Sequence, residues 1–248
     1  MLFYYSGTGN TQKAAQFVAN RLEDKCIDIE AAIAENQYQY QLGDNERLGF
    51  AIPVYFGSVP AIVQDFISKL KIQTGEHYYC YLLMTDGGMA FKTGDQFSFL
   101  LVKSGLTLNA IFEIVTYDSS CIAWKNETID WDKLKHAVET QTAFVAEQIF
   151  DRTTGNHYKQ QILSGLATAS MKLIYRAIQT SHFRVSDKCT GCGLCAKKCP
   201  THSIEMSEDH PKWIHAHCML CMRCLHHCPA EAIDIFGSPG RPRYKKAM

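Results

Sequence analysis

The sequence lacks the features that direct a chain into or across a membrane. Residues 1–5 are apolar and run directly into a glycine-containing loop, without the basic region, apolar core and cleavage site of a signal peptide. The longest apolar stretch with helical spacing, residues 162–178, is interrupted by Lys172 and Arg176, which are costly at the centre of a bilayer. We therefore expect a cytoplasmic chain with no membrane span.

The sequence also lacks net charge and any polar or repetitive tract. Its 25 Lys and Arg residues equal its 25 Asp and Glu residues, and the 46% of hydrophobic residues suffice for a folded core. The neutral total hides an asymmetry, because residues 1–150 contain 11 basic and 18 acidic residues, whereas residues 151–248 contain 14 basic and 7 acidic. We expect these oppositely charged halves to dock on each other rather than to bind nucleic acid.

Cysteine is abundant but unevenly placed. Eight of the 11 cysteines fall between Cys189 and Cys228, while Cys26, Cys80 and Cys121 are scattered upstream. Because no signal peptide precedes them, such a cluster is more typical of metal binding than of disulfides. Cys26 and Cys80 lie in predicted strands, where we expect them to be buried as small hydrophobic residues.

Apolar periodicity divides the first part of the chain into alternating strands and helices. Five short strands are predicted at residues 2–5, 26–29, 48–54, 78–84 and 110–115, and helices at residues 11–22, 60–70, 91–104 and 131–150. This alternation predicts an α/β domain over residues 1–150 with a doubly wound, mostly parallel sheet. A linker over residues 151–182 is predicted to contain a helix at residues 161–179.

In such a sheet, ligands bind beyond the carboxyl ends of the strands. The loop after the first strand, residues 6–11, offers hydroxyl groups, two glycines for close backbone approach and the start of a helix, which together suit an anion. It lacks the Gly-Lys-Ser/Thr of a nucleoside-triphosphate loop and the third glycine of a dinucleotide fingerprint. The loop therefore favours a single phosphate ester, and the alternative is an ordinary glycine-rich turn.

These residues resemble the phosphate loop of flavodoxins, which has the form Thr/Ser-x-Thr-Gly-x-Thr. The resemblance implies a flavodoxin-like five-stranded parallel sheet of order 2-1-3-4-5 and one bound FMN. Its phosphate would be held by residues that follow the first strand: Ser6, Gly7, Thr8, Gly9, Asn10 and Thr11.

Two further loops are implied to flank the flavin ring. The first contains Pro53, Val54, Tyr55, Phe56 and Gly57, and the second contains Thr85, Asp86, Gly87 and Gly88. We expect Tyr55 or Phe56 to stack on the ring, with burial in the core as the alternative. The loop after the fifth strand, residues 116–121, shows no pattern that assigns it a role.

One cysteine motif occurs twice in the second part of the chain. Cys189-x2-Cys192-x2-Cys195-x3-Cys199-Pro200 is followed by Cys218-x2-Cys221-x2-Cys224-x3-Cys228-Pro229. Zinc is the weaker alternative, because it is usually bound by two separated Cys-x2-Cys pairs. His217, His226 and His227 stand beside the motifs, but eight cysteines are sufficient ligands, so we expect solvated or hydrogen-bonding histidines there.

The duplicated motif resembles bacterial two-cluster ferredoxins, in which the fourth cysteine of each run binds the other cluster. The resemblance implies an α+β domain over residues 183–236 with two 4Fe-4S clusters, followed by a basic tail over residues 237–248. One cluster would take Cys189, Cys192, Cys195 and Cys228, and the other would take Cys218, Cys221, Cys224 and Cys199.

The complete arrangement resembles flavodoxin-ferredoxin fusion proteins. That resemblance implies electron transfer between the clusters and FMN for a redox protein partner, which is our favoured hypothesis. A flavin reductase that acts directly on a small-molecule acceptor is the alternative, and a redox sensor is a third. Neither a nicotinamide-binding fingerprint nor a nucleic-acid motif is recognisable in the sequence.

Overall fold

A parallel β-sheet organises the first part of the chain in the computed structural model, which describes residues 1–120, 129–159, 169–170, 173–175, 180–214, 218–235 and 243. In spatial order its six strands are β2 (Cys26–Asp28), β1 (Leu2–Tyr4), β4 (Arg47–Pro53), β6 (Tyr79–Asp86), β7 (Ala110–Val115) and β8 (Gly155–His157). The first five strands follow the predicted order, since β3 (Gln39–Gln41) and β5 (Lys71–Gln73) pair with each other outside this sheet. This is the strand order of the flavodoxin-like fold.

Helices cover both faces of the sheet. They are α1 (Asn10–Leu22), α2 (Ile29–Ala34), α3 (Ala61–Lys69), α4 (Thr93–Lys103) and α5 (Trp131–Phe150). One apolar cluster joins the sheet to α1 and α5, and another joins it to α3 and α4. The central strand β6 is buried at all eight residues, as expected for a parallel strand that is covered on both sides.

The structure differs from the predicted sheet at one edge. Strand β8 adds a sixth strand within the predicted linker and pairs in parallel with β7, with Gly155 opposite Ala110. Its sequence, Gly-Asn-His, is exposed and has no apolar alternation, so the hydrophobic pattern gave no sign of it. Apart from residues 169–170 and 173–175, the predicted helix 161–179 lies outside the described residues.

Among its described residues, the second part of the chain contains two short antiparallel strand pairs, a 3-10 turn (Thr180–His182) and two single-turn α-helices. Strand β9 (Phe183–Val185) pairs with β12 (Ile233–Ile235), and β10 (Ile204–Ser207) pairs with β11 (His210–Trp213). Helices α6 (Leu194–Lys197) and α7 (Arg223–His226) each lie within one cysteine motif. The core includes Phe183 stacked on Trp213 with ring centroids 4.8 Å apart.

Two apolar side chains connect the cores of the two parts. Met219 is 4% exposed and lies in the core cluster of the sheet, while Phe56 packs against the core of the second part. Within the part of the chain that the structure describes, no helix combines the length and apolar character needed to cross a membrane.

Candidate functional site

A cavity of about 220 Å³ lies where the two parts of the chain meet. The loops after β1, β4, β6 and β7 surround it, because the carboxyl ends of parallel strands share one edge of the sheet. Of the predicted flavin residues, those that line the cavity are Gly7, Thr8, Asn10, Thr11, Pro53, Val54, Tyr55, Phe56, Gly57, Thr85, Asp86 and Gly87. Ser6, Gly9 and Gly88 lie in the same loops without contributing to its wall.

The loop after β1 leads into an open helix end. Gly9 precedes α1 with a left-handed φ of 113°, and no side chain of the described residues caps this helix. The first amide groups of a helix lack partners within the helix, so they remain available to an anion. The Oγ of Ser6 accepts a hydrogen bond from the Gly9 amide at 3.1 Å, which tightens the loop. Thr11 fixes it to β6, since its hydroxyl lies 2.7 Å from that of Thr85.

Gly7 is required by the closeness of its neighbours. A Cβ atom at this position would lie 2.1 Å from the hydroxyl of Tyr55 and 3.1 Å from the carbonyl oxygen of Cys221. The Tyr55 hydroxyl is buried between the loop and the second cysteine motif. Burial raises its pKa well above the ordinary value, and the nearby Cys221 thiol adds to the rise.

Phe56 turns towards the second part of the chain. It adopts a left-handed φ of 50°, and Gly57 follows at 66°. The ring of Phe56 packs against Tyr175 with centroids 5.2 Å apart, and the hydroxyl of Tyr175 donates to the Cys218 carbonyl at 2.9 Å. Phe56, one of the two aromatic residues predicted to flank the flavin ring, therefore lines the cavity and also bridges the two parts of the chain.

Asp86 organises the loop after β6. Its Oδ1 atom accepts hydrogen bonds from the amides of Gly88 and Met89 at 2.5 and 2.9 Å. Its buried Oδ2 atom has no hydrogen-bond partner among the described residues. Burial raises the pKa of Asp86 to about 7, with a smaller contribution from the nearby Glu113 carboxylate.

The structure brings the eight motif cysteines into two groups. A small cavity is lined by Cys189, Cys192, Cys195 and Cys228, so the last cysteine of the second motif joins the first three of the first motif. Reciprocally, Cys199, the last cysteine of the first motif, lies near Cys218 of the second motif. Burial raises the pKa of Cys218 to about 12, and the nearby Cys221 and Cys199 thiols contribute to the rise.

No group of three or more His, Cys, Asp or Glu side chains, among the residues described, converges tightly enough for a single metal ion. Cys26 is half-buried and Cys80 is fully buried, and neither lies in the two cysteine groups. Cys121 lies outside the described residues.

The second motif contributes residues to the cavity that the sequence did not single out. Leu220, Cys221 and Met222 line it, and Leu220 and Met222 have left-handed φ values of 53° and 58°. At the matching positions the first motif has Gly191 and Gly193, for which this conformation is inexpensive. The second motif thus keeps two apolar side chains on a backbone that favours glycine, and both face the cavity.

Arg223 and His226 tie the second motif to the loops around the cavity. The Nε2 atom of His226 lies 2.8 Å from the carbonyl oxygen of Ser119, in the loop that had no assigned role. Arg223 donates to the carbonyl oxygens of Ser6 and Gly7 and pairs with Glu30. His227 makes a hydrogen bond with the Arg223 carbonyl at 3.1 Å, whereas His217 lies outside the described residues. One indication of the Arg223 contacts is visible in the sequence: the first motif has Leu194 at the position where the second motif has Arg223.

Comparison with known proteins identifies the second part of the chain. Residues 188–233 match the family model of the 4Fe-4S dicluster domain. This region is a 4Fe-4S dicluster domain. In this chain a ferredoxin-like region therefore follows a flavodoxin-like fold, and this combination supports a role in electron transfer.

The curated relatives each match less than a quarter of this chain. The archaeal-type glutamate synthase [NADPH] of Dehalococcoides mccartyi is 31% identical over 58 residues, which are 23% of this chain and 12% of that protein. The ferredoxin-like protein in the nif region of Trichormus variabilis is 35% identical over 48 residues, or 19% of this chain and 41% of that protein. The chain thus spans well under half the length of both relatives.

Two solved structures resemble the first part of the chain. The Trp repressor binding protein of Bacillus subtilis aligns with 62% of this chain and 99% of its own at 14% identity and a TM-score of 0.36. Rubredoxin oxygen:oxidoreductase of Desulfovibrio gigas aligns with 60% of this chain and 36% of its own at 12% identity and a TM-score of 0.30. The strand order of the sheet, rather than these likenesses, assigns the flavodoxin-like fold.

Proposed function

We propose that this chain passes electrons internally between two 4Fe-4S clusters and an FMN in the cavity, and exchanges them with a partner redox protein. The observation that carries the proposal is the position of Cys221. This predicted cluster ligand lines the same cavity as the loop proposed to hold the FMN phosphate. The proposed units are a flavin domain at residues 1–150, a linker at 151–182 whose strand β8 completes the sheet of that domain, a cluster domain at 183–236 and a tail at 237–248.

The residues around the cavity suit FMN. The open end of α1 and the hydroxyl groups of Thr8 and Thr11 would receive the phosphate, since oriented amides and hydroxyls are the usual ligands of this anion. The loops after β4 and β6 would flank the ring, with Tyr55, Phe56 and Gly87 in the wall. No adenine-binding fingerprint accompanies them, so a mononucleotide fits better than a dinucleotide.

The cysteine groups suit two clusters. We assign the first-motif cluster to Cys189, Cys192, Cys195 and Cys228, and the second-motif cluster to Cys218, Cys221, Cys224 and Cys199. Both groups consist of four thiols, which is the donor set of a 4Fe-4S cluster. Such a thiol-rich site requires reducing conditions, which supports a cytoplasmic location.

The two cysteine motifs lie differently relative to the cavity. Cys221 is partly buried beside Gly7, whereas Cys192 of the first motif is exposed. When bound, FMN exchanges electrons singly or in pairs, whereas an iron-sulfur cluster passes them one at a time. These two positions support a path in which the second-motif cluster exchanges electrons with the flavin and the first-motif cluster exchanges them with a partner.

Flavin analysis and rapid kinetics test the proposal. Acid extraction and chromatography of the reconstituted protein should yield FMN; FAD, or no flavin, would disprove the assignment. Stopped-flow reduction of the flavin through the clusters should then proceed at a rate independent of protein concentration. A rate that rises linearly with concentration would mean that electrons travel between molecules and that the internal path is wrong.

A second candidate function is direct reduction of a small organic acceptor. Met89 favours it, because this side chain lines the cavity and is 38% exposed, so one side of the flavin site is open to solvent. Sustained turnover of an acceptor such as a quinone, by chemically reduced protein without a partner, would support this activity. A single turnover at most would restrict the chain to electron transfer between proteins.

A further inference from the structure

Arg223 of the cluster domain braces the back of the predicted phosphate loop. Its Nε atom donates to the carbonyl oxygen of Gly7 at 2.9 Å, and its Nη2 atom donates to that of Ser6 at 2.6 Å. The Nη1 atom donates to Glu30 at 2.7 Å and to the carbonyl oxygen of Lys198 at 3.2 Å. One side chain, only 13% exposed, therefore joins the loop, α2 and the second cysteine motif.

These contacts fix the direction of the loop's amide groups. In a trans peptide the carbonyl oxygen and the amide hydrogen of the next residue point in opposite directions. Because Arg223 holds the carbonyl oxygens of Ser6 and Gly7 on one side, the amides of Gly7 and Thr8 point away from the guanidinium. The cavity, which Gly7 and Thr8 line, is where amides must point to bind a phosphate.

Only arginine suits this position. The guanidinium offers five N–H donors in a fixed plane, and here they reach three carbonyl oxygens and one carboxylate. A lysine ammonium would keep the charge but has three donors on one atom, so it cannot span the Ser6 carbonyl and Glu30 in the same way. Glu30 is itself held in place, since its amide donates to the Asp28 carboxylate at 2.8 Å.

We propose that Arg223 is a positioning residue for the FMN phosphate. It orders the loop from behind without touching the cofactor, so the flavin site is complete only when the cluster domain is docked. Preordering a binding loop raises affinity by removing the cost of ordering it during binding. Since binding free energies are reciprocal, FMN should also tighten the docking of the cluster domain. This inference rests on the proposed function.

Comparing FMN with riboflavin, which lacks the phosphate, isolates this role. Each would be titrated into flavin-free, full-length protein with intact clusters and followed by quenching of flavin fluorescence. Arg223→Lys should raise the Kd for FMN at least tenfold and change the Kd for riboflavin less than twofold. Glu30→Gln, which keeps the Arg223 side chain beside Cys221, should give a smaller rise for FMN alone.

Arg47→Lys provides the matched control. Arg47 also pairs with a carboxylate, that of Asp24 at 3.0 Å, and donates to the carbonyl oxygen of Leu22 at 2.8 Å, but it lies at the opposite end of β4. The Arg47→Lys variant should therefore bind FMN and riboflavin with the same Kd values as the wild type.

Two results would overturn the inference: an unchanged FMN affinity in Arg223→Lys, or equal weakening of FMN and riboflavin. If Arg223→Lys loses iron, the Glu30→Gln variant is used instead. An unchanged FMN affinity in that variant, or equal weakening of FMN and riboflavin, would overturn the inference. Wild-type protein that binds neither flavin would instead contradict the proposed function.

Discussion

Phe56 and Met219 cross the boundary between the two domains in opposite directions. Phe56 follows β4 of the sheet and packs on the core of the cluster domain, whereas Met219 precedes Cys221 and is buried in the core of the sheet. Each domain thus completes part of the other's core. The second part of the chain is therefore packed against the first by apolar contacts as well as by the ion pair of Arg223 with Glu30.

Met219→Ala should weaken this packing. Truncating a buried methionine typically costs about 2–5 kcal/mol of unfolding free energy, and here the loss would fall on the interface. We expect a lower urea midpoint under anaerobic conditions and separate transitions for cluster absorbance and helical circular dichroism. Val102→Ala is the control, because Val102 lies on α4, is 61% exposed and should shift the midpoint little. A Met219→Ala protein that unfolds like the control would show that this contact does not couple the domains.

The sheet order and the cysteine motifs could be predicted because their signals are local. Apolar strands such as Tyr79–Asp86 and the fixed spacing of the cysteines are visible in the sequence without knowledge of the fold. Strand β8 could not be predicted in this way, because its exposed Gly-Asn-His is held by backbone pairing to β7 rather than by apolar burial.

The contacts across the site were hidden for another reason. Arg223 meets Ser6 across 217 positions of sequence, and His226 meets Ser119 across 107. The division of charge between the halves predicted docking but gave no partner for either residue. The ion pair of Arg223 with Glu30 is one contact that joins the acidic first part to the basic second part.

Gly7→Ala should disturb the flavin site by steric overlap with Tyr55. The added methyl group would lie 2.1 Å from the Tyr55 hydroxyl, so the loop or the tyrosine must move. Overpacking of this kind typically costs about 1–3 kcal/mol. Tyr55→Phe removes the overlapping atom and should recover part of the loss in the double variant. The measurement is a double-mutant cycle on the urea midpoint.

Gly43→Ala is the matched control for this cycle. The nearest neighbour of its added methyl group is the flexible side chain of Glu46 at 3.2 Å, so we expect little change. Strictly additive effects of Gly7→Ala and Tyr55→Phe would contradict the predicted contact.

Asp86→Asn should change how stability depends on pH. Because the pKa of folded Asp86 is raised to about 7, the folded protein binds this proton more tightly than the unfolded chain does. The contribution of protonated Asp86 to the free energy of unfolding is therefore present at low pH, and it is lost as the pH rises from about 4 through 7. An asparagine Oδ1 atom still accepts from Gly88 and Met89, so the variant should gain stability relative to wild type between pH 5.5 and about 8.

Thermal unfolding of both proteins across this pH range measures the difference. Glu113→Gln should reduce the trend in the wild-type background, since the Glu113 charge contributes to raising the pKa of Asp86. A constant difference between Asp86→Asn and wild type would contradict the raised pKa.

The last prediction separates the two clusters by their fourth ligands. Cys228 lines the cavity of the first three cysteines, so Cys199→Ala should damage the second-motif cluster and Cys228→Ala the first-motif cluster. The wild type should contain about eight irons in two clusters, and each variant should keep only one intact cluster. The electron paramagnetic resonance spectrum of each variant should therefore no longer show magnetic coupling between clusters. The variants should differ in function, because Cys221, a proposed ligand of the second-motif cluster, lines the proposed flavin cavity. Cys199→Ala should abolish flavin reduction within the chain, whereas Cys228→Ala should still allow it when electrons are supplied chemically to the second-motif cluster. The opposite assignment, with Cys199→Ala losing the exposed cluster and retaining rapid flavin reduction, would show that each motif holds its own fourth ligand.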